Sequence, residues 1–227
     1  MGAAFNSGLP EQGDTVWLVS RSQPQNLERN DGVKRIWIEA DLSSKDARCK
    51  IAATLSGHKL DVLIYNAGIW EEHGFGSNYN FEEVDEIETQ QIITVNLTSA
   101  ITCIQKLLPN LKRAENAKII LIGSVSGLDN NGSKEVAYTA SKFGLRGLGH
   151  SLRENLREYG IGVSCINLGW VAAEIPYEQG VEKAISTYNG TRIPVQDLVS
   201  IVKCLMGLSK VSCVKEIDIP AITDMYA

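Results

Sequence analysis

The sequence has no long apolar run, and its first residues lack the basic-then-apolar order of a signal peptide. Nowhere do apolar residues continue for the roughly 20 positions that a bilayer-spanning helix needs. Lysines and arginines form no cluster, and the net charge is −5. We therefore expect neither nucleic acid nor a membrane as a partner, and a cytoplasmic location.

Cysteine and histidine are few and scattered. The five cysteines include no Cys-x-x-Cys pair, and the three histidines stand far apart in the sequence. Because neither residue type has the spacing of metal ligands, no metal site is predicted. Most of the cysteines are expected to be buried small apolar residues in a reducing compartment.

Short β-branched apolar runs alternate with longer helical patterns, which is typical of repeated βαβ units and a parallel sheet. Strands are predicted at 16–19, 33–38, 60–65, 118–122, 163–166 and 214–219. Helices are predicted from Ser43 or Ser44 to 55, over 81–113 with interruptions near Asn96 and Pro109, over 138–159 until Gly160, and over 195–208 after Pro194. Residues 1–227 are long enough for a single α/β domain with a large core.

Tyr138 and Lys142 are the strongest candidates for chemistry. Positions four apart on a helix share one face, so both side chains can point into a single site. A nearby ammonium favours phenolate, so the pair predicts a tyrosine pKa below its usual value of about 10 and an acid/base role. An isolated Tyr-x-x-x-Lys is usually two solvated side chains, and the rest of the chain must decide between these readings.

Further motifs follow the predicted strands in a fixed order: Arg21, Asp41-Leu42, Asn66-Ala67-Gly68, Asn96, Gly123-Ser124, Tyr138-x-x-x-Lys142 and Asn167-x-Gly169. In this order and approximate spacing, essentially the whole chain resembles the short-chain dehydrogenase/reductase family. The resemblance implies a Rossmann-type, doubly wound parallel sheet. It also implies a nicotinamide dinucleotide and hydride transfer to a carbonyl or from an alcohol.

The resemblance assigns catalytic roles to four residues. Tyr138 would give a proton to the carbonyl oxygen, Lys142 would lower the tyrosine pKa and bond the nicotinamide ribose, and Asn96 would hold a water in the proton relay. Ser124 would polarise the carbonyl. Hydride arriving at a carbonyl carbon leaves an alkoxide, so hydroxyls aimed at that oxygen stabilise the developing charge. Ser126 competes for the serine role, and the strand-end pattern favours Ser124.

The family's cofactor contacts carry onto matching positions, which are Gly2, Ser20, Arg21, Asp41, Leu42, Asn66, Ala67, Gly68, Tyr138, Lys142, Gly169 and Val171. NAD-preferring relatives usually have an acidic residue after this strand, whereas Ser20 and Arg21 suit a 2′-phosphate. NADP(H) is therefore favoured over NAD(H). Taken singly, Asp41 could be only a helix cap and Arg21 a solvated strand end.

The start of the chain departs from the family. Relatives begin with an apolar strand and a Thr-Gly-x-x-x-Gly-Ile-Gly turn that holds the pyrophosphate, and Gly2 aligns with the last glycine of that turn. By this alignment the sequence lacks the first strand, which is central in the family's sheet, and most of the turn, so two strand edges are expected without partners. Either the recorded start is downstream of the true one, or this is a truncated form that binds dinucleotide poorly.

The segment after 163–166 also departs from the family, because Asn167-Leu-Gly-Trp-Val-Ala-Ala173 lacks the usual threonine. Residues 170–193 are predicted to form the substrate loop for a small carbonyl or alcohol. With Trp70, His73 and Phe75 they suggest an aromatic pocket, although such rings could also pack as a lid. The resemblance implies a homodimer or homotetramer built on helices 81–108 and 138–159. The rival hypothesis is a non-catalytic signalling or scaffold relative that has lost the phosphate loop.

Overall fold

The computed structural model describes residues 1–25, 27–129 and 132–224. Its strands are β1 (Thr15–Ser20), β2 (Lys34–Glu39), β3 (Val62–Tyr65), β4 (Lys118–Ile122), β5 (Gly162–Leu168) and β6 (Glu216–Ile219). Its α-helices are α1 (Gly2–Gly8), α2 (Lys45–Thr54), α3 (Glu86–Ile93), α4 (Ser99–Leu111), α5 (Val136–Leu156), α6 (Gly180–Tyr188) and α7 (Val195–Gly207). The predicted α/β class is confirmed.

The strands pair in parallel. β1 pairs with β2, and β3, β4, β5 and β6 form a second sheet in that order. β4 is buried along its whole length, as expected for a parallel strand covered by helices on both faces. β1 is exposed or only half-buried along its length, because it lies beside an interruption in the sheet.

This interruption lies between β1 and β3, which are not hydrogen-bonded neighbours in the described part of the chain. A cavity of about 810 Å³ lies between them, lined by residues of both strands and by Gly2 at the start of α1. Strand edges that face such a cavity leave backbone N–H and C=O groups without strand partners.

Helix boundaries follow local signals in the sequence. The Ser44 hydroxyl caps α2 by accepting a hydrogen bond from the Asp46 N–H at 3.2 Å. Gly160 ends the turn after α5 with a φ of 65°, which glycine adopts without strain. Pro194 directly precedes α7. These three predicted boundaries are confirmed.

The long helical region is interrupted twice. Val84 and Asp85 are extended between a 3₁₀ turn, Phe81–Glu83, and the start of α3, an interruption that the sequence did not predict. At Asn96 the predicted interruption is a π-helical segment, Thr94–Thr98, between α3 and α4. The interruption predicted at Pro109 is wrong, because α4 continues to Leu111. Proline leaves the carbonyl four residues earlier, at Gln105, without its helical partner, and both residues are exposed, so water can satisfy that carbonyl.

The run Glu86–Leu111 is 26 residues long, and its length and composition alone would allow it to cross a membrane. However, 44% of its most apolar window is buried inside the protein. The run packs against α2 and α5. A core helix passes the same test of length and composition, so this helix is weak evidence for a membrane span.

α1 and α6 were not predicted, because short segments of this kind show too little apolar periodicity. α1 is fixed by tertiary contacts instead. Phe5 and Leu9 are buried in the cluster formed with α7. The guanidinium of Arg35 on β2 donates a 2.8 Å hydrogen bond to the Asn6 side chain and also binds Asp31.

The prediction that most cysteines are buried is wrong. Cys103 and Cys165 are buried, whereas Cys49, Cys204 and Cys213 are exposed. The reason is positional, since α2 and α7 each bury one face and leave Cys49 and Cys204 on the other. All five thiols are free.

Candidate active site

The carboxyl ends of β3 and β4 bring Asn66 and Ser124 towards the first turns of α5. Ser124 is buried, and its hydroxyl lies near enough to the Tyr138 side chain to lower the pKa of the phenol. The Ser124 oxygen also accepts the Ser126 N–H at 3.1 Å. Of the two candidate serines, Ser124 is therefore the one in contact with Tyr138, while Ser126 contributes its backbone to holding Ser124.

Tyr138 and Lys142 share one face of α5, as predicted. The Lys142 Nζ lies 5.4 Å from the centroid of the Tyr138 ring and donates a 3.1 Å hydrogen bond to the Ile122 carbonyl. The turn after β4 approaches the helix closely at Gly127, where a Cβ would lie 2.9 Å from the Lys142 carbonyl carbon. Only glycine allows this approach to the Lys142 backbone, and the Lys142 side chain is buried.

Burial governs both pKa values. It lowers the pKa of Lys142 from 10.5 to about 8. It raises the pKa of Tyr138 above its ordinary value, although the neighbouring Ser124 hydroxyl lowers it, and the carboxylates of Glu135 and Glu71 raise it further. The prediction that Lys142 holds the tyrosine pKa below its usual value is therefore wrong for this structure. Loss of water around the phenolate raises the pKa of Tyr138 more than Ser124 lowers it.

Asn96 connects the segment after β3 to α5. Its Oδ1 accepts the Ile69 N–H at 2.8 Å, and its Nδ2 donates to the Ile69 carbonyl at 2.8 Å and to the Ser141 hydroxyl at 2.9 Å. The Ser141 hydroxyl in turn donates to the Tyr138 carbonyl at 2.6 Å. π-helical turns are frequent at functional sites, and this one places Asn96 behind Tyr138.

Residues 69–80, which we call the capping loop, cap the start of α5. The Glu71 Oε1 accepts the N–H groups of Ala137 at 2.9 Å and Tyr138 at 3.3 Å, and the Tyr79 hydroxyl accepts the Val136 N–H at 3.1 Å. The residue before the helix, Glu135, instead accepts the Phe75 N–H at 2.7 Å. No local motif marks these residues, because each cap joins positions far apart in the sequence.

Aromatic rings gather beside Tyr138. The Phe75 ring centroid lies 5.3 Å from that of Tyr138, 5.1 Å from Trp170 and 6.1 Å from Trp70. Trp170 is held at the base of the predicted substrate loop, where its carbonyl accepts the Ile193 N–H at 2.8 Å. Trp70 and Phe75 are thus brought together with Trp170, whereas His73, the other predicted member, is exposed.

Residues 170–193 leave and rejoin the domain at adjacent points, since Val171 and Ile193 form a parallel bridge. Within the segment lie a 3₁₀ turn, Tyr177–Gln179, and α6. The predicted cofactor residues Gly169 and Val171 lie at its start, directly after β5. The backbone of Gly169 packs against Pro220 after β6.

The predicted cofactor residues Asn66, Ala67 and Gly68 directly follow β3, and one of them carries a hydrogen-bond acceptor without a described partner. A Cβ at Gly68 would lie 3.4 Å from the Lys142 Nζ and 3.7 Å from the Asn96 Oδ1, so the backbone here is close to both. Ala67, beside it, packs on the core. The Asn66 Oδ1 is buried and has no hydrogen-bond partner among the described residues.

Gly2 opens α1 near the same place, and its Cβ position is 3.4 Å from the Asn66 Nδ2. A second group of predicted cofactor residues follows β1 and β2. Here the Ser20 hydroxyl already donates to the Ser22 carbonyl and accepts from the Trp37 indole.

Asp41, in this second group, accepts from the backbone and hydroxyl of Ser43, as a capping residue would. The Leu42 carbonyl accepts from the Ser99 hydroxyl. Arg21 is exposed. It therefore keeps its guanidinium accessible, whereas the Ser20 and Asp41 side chains are occupied by local hydrogen bonds. Across the described residues, no group of three or more His, Cys, Asp or Glu could hold a metal ion.

A family model described as short chain dehydrogenase matches residues 1–183. This chain belongs to the short-chain dehydrogenase family. Its relatives include the rhamnolipids biosynthesis 3-oxoacyl-[acyl-carrier-protein] reductase of Pseudomonas aeruginosa, 37% identical over 179 residues that span 74% of this chain and 68% of that protein. Retinol dehydrogenase 8 of Bos taurus is 28% identical over 149 residues, which span 66% of this chain and 45% of that protein.

Solved structures of short-chain dehydrogenases share the fold. The NADP active-site complex of Pseudomonas aeruginosa RhlG superposes with a TM-score of 0.78 at 26% identity, covering 97% of this chain and 93% of that one. A metagenomic short-chain oxidoreductase in complex with NADP gives a TM-score of 0.73 at 26% identity, covering 97% and 92%. The predicted family and its Rossmann-type fold are therefore confirmed.

Proposed function

We propose that this short-chain dehydrogenase transfers a hydride between NADP(H) and a small carbonyl or alcohol substrate. The observation that carries the proposal is the contact between Ser124 and Tyr138 beside the buried ammonium of Lys142. Two hydroxyls and a cation at one point suit a reaction in which negative charge develops on an oxygen. The relatives are named as a 3-oxoacyl reductase and a retinol dehydrogenase, and both names describe the interconversion of a carbonyl and an alcohol.

In the direction of reduction, the Tyr138 hydroxyl gives its proton to the carbonyl oxygen while Ser124 donates a hydrogen bond to the same oxygen. The raised pKa of Tyr138 keeps the phenol protonated near neutral pH, which is the form that can donate. Lys142, with a pKa of about 8, can restore that proton. Asn96 braces the segment after β3 against α5, and its proposed role remains to hold a water in the relay.

A bound nicotinamide would supply or accept the hydride. The residues present fit its end of the dinucleotide, because the Asn66 Oδ1 is buried without a described partner and the Gly68 backbone lies close to Lys142. Ala67, Gly169 and Val171 would complete this end, and Gly2, Asp41 and Leu42 would hold the rest. Arg21 would bind the 2′-phosphate, with Ser20 beside it, which favours NADP(H).

The remaining expectations stay proposals for this chain. We propose a cytoplasmic protein that forms a homodimer or homotetramer and uses residues 170–193 as its substrate loop. Residues 1–227 would act as one dehydrogenase domain.

The second candidate function is that of a non-catalytic relative that keeps the fold without binding dinucleotide. The interruption between β1 and β3 favours it, because the cavity reaches Gly2, where the pyrophosphate would be held. Such a protein would act through its surface, in signalling or as a scaffold.

One experiment separates these functions. Purified protein is tested for NADPH binding by calorimetry and for NADPH oxidation with a panel of ketones. We expect Tyr138→Phe to lose turnover by about a hundredfold or more while still binding NADPH, since it deletes only the phenol hydroxyl and leaves the other proposed cofactor contacts in place. Tyr159→Phe, an exposed tyrosine at the far end of the helix, is the control. A parent that binds no NADPH would favour the non-catalytic function, and a Tyr138→Phe variant as active as the parent would exclude Tyr138 as the donor.

A further inference from the structure

Phe75 has an unusual backbone conformation. Its φ is 63°, in the left-handed region, where a bulky residue is an outlier that the surrounding structure must enforce. The enforcing contact is the 2.7 Å hydrogen bond from its N–H to the buried Glu135 carboxylate, which also accepts the Ser133 hydroxyl at 2.7 Å. Although burial raises the pKa of Glu135, these hydrogen bonds outweigh it and hold the pKa below the usual value. Phe75 is thus held by a charged acceptor.

The enforced conformation places the Phe75 ring at the centre of an exposed aromatic group. It meets Tyr138, Trp170 and Trp70 edge to face, at interplanar angles of 86°, 77° and 69°. Yet Phe75, Trp170 and Trp70 remain 38%, 49% and 54% exposed. Exposed large rings that converge on one point mark a binding surface rather than core packing. This surface adjoins the hydroxyl proposed to donate the proton.

Apart from the buried Lys142 ammonium over the Tyr138 ring, the charges near these rings are mainly negative. The carboxylates of Glu135 and Glu71 raise the pKa of Tyr138, so their field reaches the reacting hydroxyl. Arg192 lies 5.8 Å from the Trp170 ring, but it pairs with Glu174 at 3.3 Å and stacks on Tyr188. Such a field disfavours a carboxylate on the substrate.

We propose that Trp70, Phe75 and Trp170, here called the aromatic site, bind a neutral ketone through an aromatic ring beside its carbonyl. Phe75 and Trp170 contact that ring, and Glu135 is a positioning residue that keeps Phe75 in place. The reaction of the ketone rests on the proposed function, whereas its binding does not.

Binding is measured first by ligand-detected NMR with NADP⁺ present, so that no turnover is needed. The probes are acetophenone, its anionic analogue 4-acetylbenzoate, and 2-butanone. We expect acetophenone to bind the parent more tightly than either of the others, and Phe75→Leu and Trp170→Leu each to weaken it by about tenfold. Phe81→Leu, an exposed phenylalanine outside the aromatic site, is the matched control. Equal binding of the three probes, or unchanged binding by both leucine variants, would overturn the proposal.

Kinetics then test whether the Phe75 ring recognises the aromatic ring of the ketone or only covers the site as a lid. Loss of the Phe75 ring should lower kcat/KM for acetophenone relative to 2-butanone by about tenfold, whereas a lid would change both equally, which would contradict the proposal. Glu135→Gln, which keeps an acceptor for the Phe75 N–H, should retain the parental ratio, and Glu135→Ala should lose it. If no ketone is turned over but acetophenone binding still depends on Phe75, the proposed hydride transfer is wrong and the proposed binding at the aromatic site is supported.

Discussion

The Glu71 carboxylate accepts a hydrogen bond from the Tyr138 backbone N–H at 3.3 Å, across 67 residues of sequence. The same oxygen accepts the Ala137 N–H at 2.9 Å. A carboxylate at this place satisfies N–H groups that a helix leaves unpaired and opposes the positive end of its dipole. The capping loop therefore helps to fix the helix that carries the candidate catalytic pair.

Removing the Glu71 carboxylate should destabilise the protein. We expect Glu71→Ala to lower the free energy of unfolding by about 2 kcal/mol, because two buried N–H groups lose a charged acceptor. Glu71→Gln should lose less, since its amide oxygen can still accept. Urea unfolding measures both, with Glu72→Ala as the exposed neighbouring control. Equal stabilities of Glu71→Ala and Glu72→Ala would show that the cap contributes nothing.

Lys142 should make stability depend on alkaline pH. Its folded pKa of about 8 lies below the unfolded value of 10.5. Below pH 8 the folded protein therefore buries a charged ammonium, which lowers the free energy of unfolding. Between these values the unfolded chain binds more protons, and the unfolding free energy rises with pH. Relative to Lys142→Met, the parent should gain about 3 kcal/mol between a pH of about 7 and about 10.5. Urea unfolding measures the free energies of both proteins. If their difference does not change with pH, the Lys142 ammonium is not buried as described.

Arg21 should decide the preference between cofactors. We expect Arg21→Asp to weaken NADPH binding by more than about tenfold while affecting NADH little, because a carboxylate repels the 2′-phosphate and can accept from a ribose diol. Calorimetric titration with both cofactors measures the ratio. Arg113→Asp, an exposed arginine that precedes the amino end of β4, controls for the change in net charge. An unaltered ratio would remove Arg21 from the site.

The cavity between β1 and β3 should accept an added strand. We expect a β-branched apolar segment and a Thr-Gly-x-x-x-Gly turn, fused ahead of Met1, to raise the unfolding free energy by at least about 3 kcal/mol, because each buried backbone group that gains a partner contributes. NADPH binding should tighten as well. The control carries prolines at alternate positions of the added segment, which cannot donate to a sheet. Identical melting temperatures for the two fusions would exclude strand pairing in the cavity.

Association should depend on apolar side chains that are exposed on the long helices. Ile87 on α3, Ile101 on α4 and Phe143 on α5 are all exposed large hydrophobic residues. We expect light scattering at micromolar concentration to give a multiple of the 24.8 kDa chain mass. Ile101→Asp and Phe143→Asp should shift this mass to that of the monomer, whereas Val211→Asp, an exposed control, should not. A monomeric parent would contradict the proposed homo-oligomer.

The boundaries of the helices and strands show which parts of the fold can be predicted from local sequence. The strands around Val16 and Ile120 and the cap at Ser44 were predictable, because apolar runs and capping residues act on their own segment. α1 was not, since Phe5 and Arg35 fix it through contacts with α7 and β2. The helix through Pro109 was also missed, because exposure to water decides whether the freed carbonyl is tolerated.

The sequence by itself determined the α/β fold and the pairing of Tyr138 with Lys142, because periodicity and helical spacing are local properties. Only the tertiary structure decided which serine contacts Tyr138, and that burial raises the pKa of Tyr138 rather than lowering it. It also decided that Glu71 and Glu135 exchange hydrogen bonds between the capping loop and α5. These features depend on desolvation and on contacts between residues far apart in the chain, and neither leaves a pattern in a single sequence.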